Sequence, residues 1–197
     1  MSNTCNSSWV LKGLTSTIDL VAAAIDNVSN RPKAHSWDRP VLRDVAPLLR
    51  LPEEGLSFSE ITHFTKDDDQ NILRIDTEEG NTPPVDFFEA LRKRFPDLKV
   101  RYRSECFEND LFETNDKEGE FFPERFALDF ETEVYPEGDP VNYFHTEKEL
   151  TDFVQEHFGL SYKTYKDVVS YMENDLLDMD EDAFVSLHRA DVVDTLR

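Results

Sequence analysis

The sequence of 197 residues predicts an α+β fold. Some stretches alternate apolar and polar residues, which is typical of strands, and others repeat apolar residues every three or four positions, which is typical of helices. The 15 phenylalanines and the 39% hydrophobic residues can form a core, which separates this chain from disordered acidic proteins that are poor in aromatic residues. The length suits one ordinary domain with an appendage rather than two large domains.

The chain begins with a predicted strand and helix. Residues 8–13 (SWVLKG) predict a short strand that ends in glycine, and Thr15 or Ser16 is suited to cap the helix that follows. Apolar residues recur at helical spacing between residues 18 and 28, so we expect this helix to cover a sheet. Four prolines between residues 30 and 55 predict an irregular or partly helical insertion.

A predicted hairpin, helix and strand come next. Residues 56–64 (LSFSEITHF) and 72–77 (ILRIDT) predict two strands joined by a polar turn. A Pro-Pro pair suits the first turn of a helix over residues 86–95, and another proline ends that helix. Residues 98–103 (LKVRYR) alternate apolar and basic residues, which predicts a strand with one basic, solvent-exposed face.

The second half is expected to add strands to the same sheet and then to end in helices. After an acidic loop over residues 105–120, two more strands are predicted at residues 125–135 and 141–146. From residue 146 the apolar residues follow helical spacing, which predicts a C-terminal helical extension. Its helices are expected at residues 146–158, 162–177 and 180–196. The predicted domains are therefore residues 1–145, and residues 146–197 packed on them.

The net charge of −21 is distributed unevenly along the sequence. Residues 1–103 hold 14 Lys and Arg against 16 Asp and Glu, whereas residues 104–197 hold 7 against 26. A field of this sign repels nucleic acid and anionic membranes and attracts basic surfaces. The acidity therefore predicts a basic partner, with solubility or adaptation to a high-salt cytoplasm as the alternative explanation.

Nothing in the sequence predicts export or a membrane span. The one apolar run near the start, residues 20–25, is short, follows an aspartate and lacks a basic flank, unlike a signal peptide. No stretch reaches the roughly 20 apolar residues of a membrane helix. Cys5 and Cys106 are too few for a disulfide framework, so we expect a cytoplasmic location. The sequence also allows a single disulfide between these two cysteines.

An acidic segment imitates part of a calcium-binding loop. Asp178, Asp180 and Asp182 match the first three ligand positions, but Ala183 replaces the glycine of the sixth position and Arg189 the glutamate of the twelfth. An acidic helix N-terminus explains the segment better.

Other candidate chemistry is also weak. Asp67–Asp69 could hold Mg²⁺ but is better explained as a charged hairpin turn, and Cys106 is a poor nucleophile because neighbouring glutamates disfavour its thiolate. No zinc spacing connects the five histidines, which are His35, His63, His145, His157 and His188. We therefore expect no metal, no cofactor and no catalytic residues.

Six basic residues lie close together in the sequence. Tyr102 falls on the opposite side of its strand from the neighbouring arginines, so the basic, aromatic face of an RNA-binding sheet is not expected. Ion pairs with the acidic half, or a solvated face, explain the basic residues better than direct nucleic-acid binding. They are Arg92, Lys93, Arg94, Lys99, Arg101 and Arg103.

Three segments carry a resemblance to a known family. Residues 1–13 contain a predicted strand that ends in glycine, and residues 56–62 form a predicted strand that contains a phenylalanine. Residues 72–105 contain a strand, a threonine, a Pro-Pro pair, a helix, a Phe-Pro pair and a second strand, in this order. The matching residues are Asn3, Cys5, Gly13, Phe58, Thr77, Pro83, Pro84, Phe95 and Pro96. Residues 1–110 thus resemble YubB-type ferredoxin-like proteins of phages and plasmids. The resemblance implies a mobile-element origin and a ferredoxin-like split βαβ antiparallel sheet, here with added strands, and it implies no reaction.

Charge and resemblance together suggest a function. We expect a non-enzymatic protein whose acidic half imitates nucleic acid and inhibits a host defence protein with a basic nucleic-acid-binding surface, such as a CRISPR effector or another nuclease. The oligomeric state is left open. Candidate contacts are Glu105, Glu108, Asp110, Glu113, Asp129, Glu131, Glu133, Glu137 and Asp139.

Two alternatives belong to other classes. A structural or toxin-neutralising protein would bind its partner through apolar faces of the C-terminal helices. An enzyme with an acidic cleft would depend on a single catalytic carboxylate.

Overall fold

The structure, a computed structural model, describes residues 4–32, 39–131, 141–159, 161, 164–171 and 184–196. It has the predicted α+β class, with one six-stranded and one three-stranded sheet. The chain divides into two units, which are Met1–Lys117 with Val192–Arg197, and Glu118–Asp191. In the sequence, the second unit is inserted between two parts of the first. The predicted boundary at residue 145 falls inside this second unit.

The described part of the chain contains nine strands and five α-helices. The strands are β1 (Thr4–Lys12), β2 (Ser59–Asp67), β3 (Ile72–Gly80), β4 (Lys99–Cys106), β5 (Leu111–Thr114), β6 (Phe126–Glu131), β7 (Val141–Phe144), β8 (Phe184–Arg189) and β9 (Asp191–Val192). The helices are α1 (Thr15–Ser29), α2 (Leu42–Val45), α3 (Val85–Arg94), α4 (Glu147–Phe158) and α5 (Tyr165–Ser170). In the part of the chain that the structure describes, none of them has the length and apolarity needed to cross a membrane.

The larger sheet has the strand order β2-β3-β1-β4-β5-β9. The pairs β1–β3, β1–β4, β2–β3 and β4–β5 are all antiparallel. Strand β1 thus lies between two strands that come later in the sequence. The hairpin β2–β3, the helix α3 and the strand β4 confirm the corresponding sequence predictions.

The core of the first unit is centred on Trp9. Alternation along β1 directs every second side chain to one face, and the registers place Trp9 opposite Ile75 of β3 and Tyr102 of β4. Its ring stacks on Phe88 of α3 at 3.8 Å between centroids and on Tyr102 at 4.7 Å. Helix α1 buries its apolar side against the same cluster, as its spacing predicts.

The predicted insertion over residues 30–55 is partly helical in its described residues. It contains α2 and a single 3₁₀ turn over Pro47–Leu49. Four of its aliphatic side chains are buried in the core of the first unit, so the segment is part of the fold. They are Leu42, Val45, Leu49 and Leu51.

The second unit has its own sheet and core. Its strands have the order β7-β6-β8, and both pairs are antiparallel. The prediction that β6 and β7 extend the first sheet is therefore wrong. The predicted helix over residues 180–196 is also wrong at residues 184–189, which form β8. Helices α4 and α5 bury apolar side chains against this small sheet.

The segment that follows the second unit returns to the first. Val193 N–H donates to Thr114 O at 2.9 Å, and the Asn115 amide donates to Thr195 O at 3.1 Å. Leu196 is buried in the core of the first unit. Residues 192–196, predicted as part of a terminal helix, therefore pack against the first unit. Their hydrogen-bonding partners are Thr114 of β5 and the neighbouring Asn115, which both fall in the predicted loop over residues 105–120.

Candidate functional site

The second unit has the larger share of the acidic excess. Residues 118–191 hold 20 Asp and Glu against 5 Lys and Arg, a net charge of −15. The first unit holds 22 against 16, a net charge of −6. The acidic half of the sequence, residues 104–197, therefore consists of the second unit together with residues 104–117 and 192–197 of the first.

Helix α4 presents a row of carboxylates on its exposed side. Thr146 caps the helix, since its side chain accepts a hydrogen bond from Glu149 N at 3.2 Å. Leu150 and Val154 are fully buried in the core of the second unit. The opposite side carries exposed residues at positions i, i+3 and i+7, where i is Glu149. This acidic row comprises Glu149, Asp152 and Glu156.

Local contacts engage part of this acidic row. The Glu149 carboxylate accepts a hydrogen bond from His145 N at 2.8 Å, and Lys148 forms an ion pair with Asp152. Both Lys148 and Asp152 are more than half exposed, so water screens their attraction strongly. The row keeps its negative character. Its helical spacing is visible in the sequence, but the predicted contacts did not include it.

Two of the predicted contacts, Glu105 and Glu113, are only partly exposed and have partners inside the first unit. Glu105 lies 3.9 Å from the Arg103 guanidinium. The Glu113 carboxylate accepts a hydrogen bond from the Tyr102 hydroxyl at 2.6 Å, and Thr195 also contacts that hydroxyl. Their roles in the fold make them weaker candidates for a partner surface than their charge predicts.

Glu108 and Asp110 fit the prediction of exposed carboxylates. Both lie in the turn between β4 and β5, where a 3₁₀ turn over Phe107–Asn109 is followed by Asp110 in the left-handed conformation. Aspartate tolerates this conformation better than most residues do. The turn thus presents two acidic side chains to solvent at one edge of the first unit.

The other five predicted contacts belong to the second unit. Asp129 and Glu131 lie on β6, and Asp129 is half-buried. Glu133, Glu137 and Asp139 fall outside the described residues, which stop at 131 and resume at 141. The structure therefore places Asp129 without testing the proposed surface as a whole.

Two arginines of the basic strand β4 form ion pairs with acidic residues that come later in the sequence. Arg101 Nε lies 3.8 Å from Asp116, whose side chain is fully buried, and Arg103 lies near Glu105. Tyr102 is buried on the opposite face, as the alternation predicts. These contacts agree with the expectation of internal pairing for Arg101 and Arg103.

The remaining basic residues have ordinary surroundings. Arg92, Lys93 and Arg94 occupy the last turn of α3, where positive charge is favourable because of the helix dipole. Lys93 lies 4.0 Å from Glu89, and the Arg94 guanidinium lies 5.1 Å from the centre of the Phe95 ring.

A buried polar cluster lies beside Trp9 and was not predicted. Glu79 of β3 is 4% exposed, and its carboxylate accepts hydrogen bonds from Ser7 and from Ser59 at 3.0 Å. Ser104 Oγ lies 2.8 Å from Ser7 Oγ, and the Trp9 indole N–H donates to Thr77 at 3.1 Å. Buried polar groups need such partners. The cluster therefore fixes how β1, β2, β3 and β4 pair.

Burial shifts the protonation equilibria of two groups in this region. It raises the pKa of Glu79, against the effect of hydrogen bonds from Ser7 and neighbouring hydroxyls. It also raises the pKa of Tyr102, and the nearby Glu113 carboxylate adds to the effect. Both shifts favour the neutral form, as expected where few water molecules can solvate a charge.

Replacing Glu79 with glutamine is expected to change how stability depends on pH. Because the pKa of Glu79 is raised on folding, the stability it contributes is fully present below its unfolded pKa and is lost as the pH rises through the folded pKa. Glutamine does not titrate, so the stability of Glu79→Gln relative to the unsubstituted protein should increase as the pH rises above the unfolded pKa of glutamate, about 4.3. Urea unfolding at several pH values measures this difference. Glu53→Gln, at an exposed position, is the control, and a pH-independent difference for Glu79→Gln would contradict the prediction.

The metal and nucleophile candidates are placed only in part. Asp67 accepts a hydrogen bond from Gln70 N at 3.0 Å within the β2–β3 turn, which agrees with the hairpin explanation. Asp178, Asp180 and Asp182 lie outside the described residues. Across the described ranges, no group of three or more His, Cys, Asp or Glu side chains could hold a metal ion. Cys106 is buried.

The described histidines have local roles. His63 and His145 are exposed, and His157 Nδ1 lies 2.9 Å from Phe153 O within α4. His188 Nε2 lies 2.5 Å from Ser186 Oγ on β8. His35 falls in the undescribed residues 33–38.

The comparisons with known proteins leave the family open. No family model, no curated protein and no solved structure matches the chain.

Proposed function

We propose that this chain is a non-enzymatic cytoplasmic protein of a phage or plasmid that inhibits a host defence protein by imitating nucleic acid. The target class is a nuclease or CRISPR effector with a basic nucleic-acid-binding surface. The observation that carries the proposal is the net charge of −15 on the second unit, which has only 74 residues. A charge of this density attracts Lys- and Arg-lined grooves.

The spacing of the acidic row supports mimicry. Its seven-residue interval covers about 10 Å of helix axis, so neighbouring carboxylates are about 5 Å apart along the helix. One strand of duplex DNA carries a phosphate charge about every 3.4 Å of axis. The row thus offers the same sign of charge at a comparable, somewhat wider spacing.

The resemblance of residues 1–110 to YubB-type proteins is the support for a phage or plasmid origin. We propose that the first unit is a ferredoxin-like split βαβ domain. Its support is the strand order β2-β3-β1-β4, with antiparallel pairs, and the chain order β1-α1-β2-β3-α3-β4, to which α2 is added between α1 and β2. Fold alone does not determine function, so the proposal of inhibition depends on the charge.

The alternative of an apolar helical surface has less support. Leu150, Val154 and Val168 of α4 and α5 are fully buried within the second unit. The apolar residues of these helices therefore serve this unit's own core.

The experiment is capture of host proteins from a bacterial lysate on the immobilised full chain, at low and high salt, followed by competition with duplex DNA. Mimicry predicts a nucleic-acid-binding protein that salt releases, because the Debye length falls from about 8 Å at physiological ionic strength to about 3 Å at 1 M salt. The same protein should lose its DNA binding when the full chain is added.

A matched pair of variants then tests the surface. The row variant, Glu149→Gln with Asp152→Asn and Glu156→Gln, removes three charges but keeps an oxygen acceptor at the helix cap. The control variant, Glu53→Gln with Glu54→Gln and Asp69→Asn, removes three exposed charges from the first unit. At about 0.5 kcal/mol for each exposed pair, the row variant should bind the captured protein about tenfold more weakly and the control should not.

Two outcomes would contradict the proposal. One is a captured partner that resists high salt and keeps its DNA binding, which would favour an apolar contact. The other is that the row and control variants weaken binding of the captured protein equally, which would show that binding depends on net charge and not on the acidic row.

A further inference from the structure

The two cysteines, Cys5 and Cys106, lie opposite each other on the neighbouring strands β1 and β4. The antiparallel register of β1 and β4 pairs Asn6 with Glu105, and one further step along it places Cys5 opposite Cys106. Both side chains are buried and both thiols are free. Directly opposed residues in an antiparallel pair have their Cα atoms about 4.5 or 5.5 Å apart, and both distances suit a disulfide.

The hydrogen bonds of β4 show which kind of pair this is. Tyr102 directs both its N–H and its C=O away from β1, to the side chain and the backbone N–H of Asn115. Tyr102 and Trp9 are therefore a non-hydrogen-bonded pair. Cys106 lies four residues further along the strand and has the same orientation, so its pair with Cys5 is also non-hydrogen-bonded. Side chains approach most closely in such pairs.

The surroundings distinguish the two thiols. They are hydrogen-bonded to each other, and burial together with Cys106 raises the pKa of Cys5 to about 12. The Asn109 amide donates a hydrogen bond to Cys106 Sγ at 3.2 Å. Because burial disfavours the Cys5 thiolate, Cys106 is the better nucleophile of the pair, and Cys5 lies opposite it to react with the oxidised sulfur.

We propose that Cys5 and Cys106 are a modification site that a small peroxide converts into a reversible cross-strand disulfide. The Cys106 thiol loses its proton, the thiolate attacks one peroxide oxygen, and the O–O bond breaks. The hydroxide that leaves takes up the released proton, so a sulfenic acid and one water form. The Cys5 sulfur then attacks the sulfenic sulfur, the S–S bond forms, and a second water leaves with the Cys5 proton. Two thiols are oxidised by two electrons in total, and hydrogen peroxide is reduced to two waters.

The test is exposure of the folded full chain to hydrogen peroxide, followed by alkylation of free thiols after unfolding and measurement of the intact mass. The expected product has lost two hydrogen atoms, takes up no alkylating agent and yields one peptide pair joined between Cys5 and Cys106. Dithiothreitol should restore both thiols. Because the bridge closes a loop of about 100 residues, the oxidised chain should unfold at a temperature roughly 5–15 °C higher.

The Cys5→Ser variant is the matched control, since it keeps the nucleophile and removes its partner. Peroxide should then add oxygen to Cys106 and should not raise the unfolding temperature. If the unsubstituted chain gains oxygen atoms without losing two hydrogens, forms disulfides between chains, or keeps both thiols, the proposal is wrong. These readings on the unsubstituted protein do not require any variant to fold.

Discussion

Replacing Trp9 with alanine is expected to lower the free energy of unfolding by about 3–5 kcal/mol. The side chain is fully buried, its ring stacks on Phe88 and Tyr102, and its indole N–H donates to Thr77. The substitution therefore leaves a cavity at the centre of the first unit and removes a buried hydrogen bond. Urea unfolding followed by circular dichroism measures the change.

Leu14→Ala is a suitable control for this prediction because Leu14 is 62% exposed. Its effect should stay within about 0.5 kcal/mol. Trp9→Phe should fall between the two, since it keeps part of the ring stack and loses the N–H donor. Similar unfolding midpoints for Trp9→Ala and Leu14→Ala would show that the core is not centred on Trp9.

Leu196→Ala is expected to destabilise the first unit by about 2–5 kcal/mol, although the residue lies far from the rest of that unit in the sequence. Leu196 is 5% exposed and packs in the core beside residues of the first unit. Truncation to alanine removes buried methyl groups and weakens the attachment of the returning segment to β5.

Hydrogen exchange resolves where this effect acts. Amides of the first unit should lose protection in Leu196→Ala, whereas the strands of the second unit should keep theirs. Val192→Ala is the control, since Val192 is 44% exposed. Loss of protection in the second unit alone would contradict the assignment of Leu196 to the first core.

The first unit could largely be predicted from local patterns. Helices α1 and α3 have one apolar side, and strand β4 alternates strictly, so neighbouring residues are enough to identify each element. The polar turn between β2 and β3 likewise indicates a hairpin. Strand β5 was missed because four residues in an acidic loop give too short a pattern.

The second unit was predicted less well for physical reasons. Alternation identifies β6 as a strand, but it does not tell which sheet the strand joins, because that depends on contacts distant in sequence. Residues 184–196 contain apolar residues that fit helical spacing as well as strand spacing. Pairing with β6 makes residues 184–189 a strand, and Val193 forms a hydrogen bond with Thr114 of the first unit.

The candidate site shows the same limit. Charge counts along the sequence predicted where the acidity lies, but not which carboxylates are available to a partner. Glu113 is engaged because its strand lies beside the Tyr102 hydroxyl, and the buried Glu79 is engaged because β1 and β2 bring Ser7 and Ser59 to it. Such contacts depend on register, which single-residue properties do not contain.

The insertion of the second unit also sets an order of events during protein synthesis. A ribosome makes residues 1–117 first, but the β9 strand and Leu196 that complete the first unit come only after the second unit has been made. The second unit has its own sheet and core, so it can fold while the first still lacks its edge strand. The part of the chain that is translated first is therefore the part that finishes folding last.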